Sequence, residues 1–305
     1  MKIAIMAAGA VGGYFGARLA GAGHEVHFLA RGKHLEAIRA GGLRVKSDFG
    51  DMHLTSVSVS DDPSQVGPVD VILFAVKLWD TAAAARACKP MLGEDTAVIS
   101  LQNGVESTGI IAEELGPEHA LGGSAYISAS IAEPGVIHHF GSFAKLVFGE
   151  GDNRKSERVL AFLGACEESG IEAEIPDDMQ VAVWLKFITL ASMSGVTTTT
   201  RRPIGEILAD PDMAKIYRDT MTEIAEVGRA RGVNLPSDAV DQRMSHAASL
   251  PAAMTASTLK DLEAGGRLET PWLTGAVVRL GRESNVPVPV NETLNAVLKP
   301  YENGT

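Results

Sequence analysis

The chain has 305 residues, 45% of them hydrophobic and 21% charged, enough for two domains with cores of their own. A formal net charge of −11 excludes general nucleic-acid binding and a polybasic membrane contact. Two cysteines, Cys88 and Cys166, form neither a metal-ligand spacing nor a disulfide framework, which points to a reducing, cytoplasmic setting. No apolar run reads as long enough to span a bilayer, and the N-terminus lacks a signal-peptide layout.

Lys2 to Met6 is a short apolar run of the kind that forms a buried parallel strand. It leads into Ala7-Ala-Gly-Ala-Val-Gly-Gly13, then a helical pattern over Tyr14 to Ala22 and a second strand over Glu25 to Ala30. Strand, glycine turn, helix and strand in this order are the context a dinucleotide fingerprint needs. Ala8, Gly9, Ala10, Val11 and Gly12 are therefore cofactor-binding candidates, with the pyrophosphate at the helix N-terminus. The first glycine of the fingerprint is replaced by Ala7, which is tolerable where the turn does not demand a positive φ. At the end of the second strand stand Arg31 and Lys33 with no acid, which favours the 2′-phosphate of NADP(H) over the bare ribose of NAD.

Val69 to Val76 reads as a strand ending at Lys77, and a helix follows from Thr81. Ala97 to Leu101 is another strand, ending at Gln102-Asn103-Gly104. Lys77 and Asn103 thus both lie just past strand C-termini, where open α/β sheets bind ligands. Further strands are expected over Ala120 to Ala129, Gly135 to Phe140 and Lys145 to Phe148, with hairpin pairing possible. A helix over Ser156 to Ser169 and an extended piece over Ile171 to Ile175 complete the first half. His138 and His139 read as a partly exposed pair in a strand, and no metal site is expected.

Beyond Pro176 the pattern becomes helix after helix. Gln180 to Gly195 is apolar nearly all round, as buried helices are, and its one charge is Lys186. A lysine there either snorkels to solvent or has its ammonium disfavoured, which suits it to proton transfer near neutral pH. Asp210-Pro211 is a strong helix start, and that helix extends to about Gly232. Ser237 opens another helix that stops before Pro251, Ala252 to Ala264 forms the next, Thr270-Pro271 caps a further one, and Asn291 to Tyr301 is the last. The expected architecture is an α/β Rossmann-type N-terminal domain over 1–177 followed by an all-helical C-terminal domain over 178–305, with a cleft between them.

Several segments together resemble the ketopantoate reductase (2-dehydropantoate 2-reductase) family over nearly the whole chain. They are AAGAVGGYFGARLA, the LAR at Arg31, VKLWDT, LQNGV, VWLKF, GVTTTTR and ASTLKDLEAGGRLE. The resemblance implies NADPH-dependent reduction of a small 2-oxo acid to a 2-hydroxy acid, in pantothenate biosynthesis, by a cytoplasmic homodimer. It places the catalytic lysine on Lys186 and a second catalytic residue on Glu269. The carboxylate-binding serine falls on Ser257, the asparagine near nicotinamide and substrate on Asn103, and the lysine facing cofactor and substrate on Lys77. Family members that reduce ketopantoate carry asparagines four and eight residues after the lysine. Here those positions are Leu190 and Ser194; Ser194 is kept as a substrate-binding candidate, and Leu190 points to another 2-oxo acid. The alternatives are a related Rossmann/helical dehydrogenase acting on a different 2-oxo or hydroxy acid, and a non-catalytic NADP(H)-binding sensor.

Overall fold

The computed structural model describes residues 1–304. The chain divides into two compact units, one comprising Met1–Gln102 and Glu106–Met179, the other Asn103–Val105 and the residues from Gln180 onward.

In the first unit, β1 (Lys2–Met6), α1 (Ala10–Gly21) and β2 (Glu25–Leu29) are followed by α2 (Gly32–Gly41), β3 (Leu43–Lys46), β4 (Met52–Leu54) and β5 (Ser58–Ser60). Then come β6 (Val69–Phe74), α3 (Thr81–Ala87), β7 (Leu92–Ser100), α4 (Ser107–Leu115), β8 (Ala120–Glu133), β9 (Val136–Gly149), α5 (Glu157–Glu168) and β10 (Glu172–Glu174). Strand order is β4-β3-β9-β8-β7-β6-β1-β2-β5, with β10 paired to β9. Strands β5, β2, β1, β6, β7 and β8 pair in parallel. The β8–β9 and β3–β4 pairs are antiparallel. The parallel part is the Rossmann sheet, and the expected hairpin is present as β8–β9.

Helix α1 packs against β1, β2, β3, β4, β8 and β9, so the sheet curls around it. That explains why it is buried on nearly every side, including Tyr14, Phe15, Ala17 and Leu19. It begins at Ala10, four residues before the expected start. The glycines that weaken the local helical signal are what let it dock: a Cβ on Gly16 would sit 2.6 Å from Phe28 and 2.7 Å from Ile5.

The second unit holds α6 (Met179–Thr200), α7 (Ile204–Ala209), α8 (Pro211–Ala230), α9 (Ala239–Ser249), α10 (Ser257–Glu263), α11 (Thr274–Glu283) and α12 (Pro289–Leu298). Its core gathers Trp184, Phe187, Ile188 and Val196 of α6 with Tyr217, Met221 and Ile224 of α8 and Ala276, Val277 and Leu280 of α11. Contrary to the sequence reading, α6 is long and apolar enough to cross a membrane, with 22 residues and a mean hydropathy of 1.3 in its best window. Of that window 61% is buried inside the protein, which makes it a core helix.

Three expected helices also end differently. Helix α10 starts at Ser257, because the carbonyls of Ala252 and Met254 accept from the amides of Gly205 and Ile204 and are committed to the start of α7. The Thr270-Pro271 segment is a 3-10 turn ahead of α11, and α12 gives way to a 3-10 turn over Lys299–Tyr301.

Candidate functional site

The glycine turn follows β1 directly. Ala7 takes φ +75°, so the turn does demand a positive φ and the expectation that alanine escapes strain is corrected. Ala8 is 1% exposed and fixed on both sides: its amide donates to the Leu29 carbonyl (2.7 Å), and its carbonyl accepts from His34 Nε2 (2.9 Å). Gly9 caps α1, and a Cβ built on it would meet no protein atom within 4 Å. The first i→i−4 bond of the helix runs from Gly13 to Gly9, so the amides of Ala10, Val11 and Gly12 have no intrahelical acceptor. Gly12 is required for a different reason, since a Cβ there would collide with the Ala7 carbonyl oxygen and lie 2.9 Å from Ile5. An open cradle faced by outward amides at a helix N-terminus fits a pyrophosphate.

Arg31 lies two residues beyond β2, exposed, as the N-cap of α2, with exposed Lys33 in the first turn. No acidic residue follows β2 in the chain before Glu36, while Asp61 and Asp62 follow the end of β5 that pairs with it. Lys77 lies three residues beyond β6, exposed, with its Nζ 5.6 Å from the centroid of the Trp79 ring. Its loop is held from below by Gln102, which is buried and donates through Nε2 to the Val76 carbonyl (3.0 Å) and to Thr81 Oγ1 (2.9 Å). Gln102 and His34 are supporting residues that sequence reasoning did not single out. For Gln102 the usable signal was an amide side chain directly after an apolar strand; for His34 there was none beyond its nearness to Arg31.

In the second unit, Lys186 lies on the less buried stripe of α6 with Val183 and Leu190, while Trp184, Phe187 and Ile188 face the core. It keeps partial exposure, yet desolvation pushes its pKa down to about 8. Ser257 is exposed at the first position of α10. Ser194, in contrast, is 1% exposed, and its hydroxyl shares a 2.7 Å hydrogen bond with Thr258. Together with Thr197 Oγ1, which accepts from the Ala256 amide (3.3 Å), it ties the start of α10 to α6. Ser194, a substrate-binding candidate, thus sits buried against Thr258, the residue that follows Ser257. Glu269 is half-buried at the N-cap of the 3-10 turn over Thr270–Trp272. Half-buried Asn103 belongs to the same unit, and its neighbour Gly104, at φ +90°, would bring a Cβ to 3.3 Å from the Trp272 carbonyl oxygen. The Asn103 loop and the Glu269 turn are therefore neighbours.

His139 is not partly exposed as expected. It is 1% exposed, hydrogen-bonded to Ser47 Oγ (2.9 Å) and the Phe143 carbonyl (3.0 Å), and packed 4.8 Å from the Tyr14 ring. Among the described residues no group of three or more His, Cys, Asp or Glu is placed to hold a metal.

Compared with known proteins, residues 3–153 match the ketopantoate reductase PanE/ApbA family and residues 178–302 its C-terminal region. The chain is 33% identical to a 2-dehydropantoate 2-reductase of Mesorhizobium japonicum, over 98% of this chain and 96% of that protein. Among solved structures it is similar to a PanE/ApbA family ketopantoate reductase from Ralstonia eutropha JMP134, with 36% identity, a TM-score of 0.90 and coverage of 99% and 98%. It also resembles a 2-dehydropantoate 2-reductase from Geobacter metallireducens GS-15, with 29% identity, a TM-score of 0.91 and coverage of 98% and 99%.

Proposed function

The chain belongs to the ketopantoate reductase family, and from that premise we propose that it is an NADPH-dependent oxidoreductase that reduces a 2-oxo acid to a 2-hydroxy acid. The observation that carries the reading is Lys186, an amine on the core helix of the second unit whose pKa is depressed into the working range of a general acid. Bound at the glycine turn, with its 2′-phosphate on Arg31, NADPH would supply a hydride to the C2 carbonyl carbon. As negative charge builds on the carbonyl oxygen, the Lys186 ammonium stabilises it and delivers the proton, then recovers one from solvent. Glu269 orients the lysine or the nascent hydroxyl. Ser257 holds the substrate carboxylate, Asn103 hydrogen-bonds the reacting group, and Lys77 supplies a cation for cofactor and substrate. Two buried free cysteines, their thiols pushed up to about 12 by desolvation, fit work in a reducing cytoplasm.

The substrate is the part of the proposal where the family pattern departs. Leu190 stands one turn from Lys186 on the same stripe, and Ser194 is occupied by Thr258, so two amide groups that would bind a polar substrate are absent. A 2-oxo acid with a more apolar side chain than ketopantoate fits this better. The test is the initial rate of NADPH and NADH oxidation over a panel of 2-oxo acids, with wild type and Lys186→Ala. The expected result is NADPH-dependent turnover that falls by about 10²–10⁴ in the variant while NADPH binding survives. Near-wild-type turnover in Lys186→Ala would sink the assignment of the acid. Cofactor binding without turnover on any oxo acid would make the chain a sensor.

A further inference from the structure

His34 occupies the third position of α2, and its imidazole bridges two backbone turns that are far apart in sequence. Nε2 lies 2.9 Å from the Ala8 carbonyl oxygen, and the amide of Gly135, in the turn joining β8 to β9, donates to Nδ1 at 3.1 Å. A carbonyl can only accept and an amide can only donate, so the ring must carry its hydrogen on Nε2 and leave Nδ1 bare. Burial also disfavours the imidazolium and lowers the His34 pKa, which keeps this single-hydrogen form at neutral pH.

The Ala8 carbonyl is one end of the Ala8–Gly9 peptide. In a trans peptide the C=O and the N–H lie in one plane and point in opposite directions. Holding the carbonyl inward on His34 therefore holds the Gly9 amide outward, at the N-cap of α1 and beside the amides of Ala10, Val11 and Gly12. The turn does not keep this orientation unaided, because Ala7 adopts φ +75°, a conformation that L-residues disfavour and that persists only where the surroundings over-determine it. The two bonds on Ala8, to Leu29 and to His34, supply that constraint.

We infer that His34 is a positioning residue for the dinucleotide, aiming the Gly9 amide at the pyrophosphate by fixing the Ala8–Gly9 peptide plane. The inference rests on the proposed cofactor site at the glycine turn. It is tested on the full chain by fluorescence titration of NADPH and by steady-state kinetics of wild type, His34→Leu and His34→Gln, with the best oxo acid found in the panel. His34→Leu removes the donor to Ala8 and should raise the Kd and KM for NADPH by about tenfold, since one hydrogen bond at a charged ligand is at stake. The KM for the oxo acid and kcat at saturating NADPH should stay within about threefold, a split that a general loosening of the fold would not produce. His34→Gln, whose amide can reach the same carbonyl, should recover most of the affinity. NADPH affinity in His34→Leu within twofold of wild type would overturn the inference, as would a parallel rise in both KM values. Wild type that binds neither NADPH nor NADH would instead overturn the cofactor site itself. Where the leucine variant fails to fold, nitrogen-15 NMR of the wild-type ring is decisive: hydrogen on Nε2 with bare Nδ1 is expected, and a hydrogen on Nδ1 would refute the arrangement.

Discussion

A lysine on an apolar core helix makes the folded protein sensitive to alkali in two opposite ways. Desolvation lowers the Lys186 pKa from 10.5 to about 8, so below pH 8 the ammonium is present in both the folded and the unfolded chain. Between about 8 and 10.5 the unfolded chain still binds the proton and the folded one has lost it, so stability rises with pH through that window as the buried charge is relieved. Activity should move the other way. In the proposed mechanism reduction uses the ammonium as proton donor, so kcat/KM for the oxo acid should fall about tenfold per pH unit above roughly 8, while oxidation of the hydroxy acid gains over the same range. A flat reductive profile to pH 10, with chemistry rate-limiting, would remove Lys186 from the proton path. Ala7 offers a second test at the same scale. Its φ of +75° costs an alanine about 1–2 kcal/mol, partly offset in glycine by a freer unfolded chain. Ala7→Gly should therefore stabilise the protein by about 0.5–1 kcal/mol, raising the Tm by about 2 °C. A lower Tm would mean that the turn is not strained.

Among the elements, α12 shows how one side chain secures a helix. Glu223 of α8 is buried, and its carboxylate accepts from the amides of Val290 (2.8 Å) and Asn291 (2.9 Å) and from Asn291 Nδ2 (2.8 Å). It thereby satisfies amides at the α12 N-terminus, where the helix dipole also favours a negative charge. Glu223→Ala should cost about 2–4 kcal/mol, because buried amides lose their acceptor, and Glu223→Gln less, because one amide oxygen remains. Chemical denaturation of the two variants measures this; a loss under 1 kcal/mol in the alanine variant would mean that water replaces the carboxylate. None of this was legible in the sequence, where Glu223 reads as one more polar position of an amphipathic helix. The long elements were legible because their burial is periodic: β1 as a run of apolar residues, α6 as a helix apolar all round, α8 from its Asp210-Pro211 start. Short strands such as β3, with only Leu43 and Val45 facing inward, carry too few residues for a period to register. Helix α10 failed differently, since its expected first turn is used up as acceptors for α7, a tertiary commitment that no local pattern records. In the candidate site, the residues proposed to meet ligands could be named from motifs, whereas the residues packed beside them, His34, Gln102 and Thr258, could not. Their role is defined by partners 26, 26 and 64 positions away.

For the molecule as a whole, the labour divides along the two units. In the proposed reaction the first, which holds the glycine turn, Arg31 and Lys77, serves the anionic dinucleotide, and the second, which holds Lys186, Ser257, Glu269 and Asn103, serves the small acid. A frame with this division can exchange substrates without touching its cofactor chemistry, provided the change falls on residues that neither hold the core nor move the proton. Leu190 comes close to that condition: it is half-buried, packed against the core cluster without being one of its buried members, and on the Lys186 stripe, one turn and therefore about 6 Å away. Ser194 does not meet it, because its hydroxyl holds Thr258 and the α10 start. Specificity should accordingly respond to Leu190 and stability to Ser194. Leu190→Asn should raise kcat/KM for ketopantoate, relative to a 2-oxo acid with an apolar side chain, by about tenfold or more, since a site amide rewards a substrate hydroxyl that leucine ignores. Ser194→Ala should leave that ratio unchanged and lower stability by about 1 kcal/mol through the lost buried hydrogen bond. The reverse pattern, a ratio set by Ser194 and indifferent to Leu190, would place the substrate against a different face of α6 and require the roles of the two residues to be exchanged.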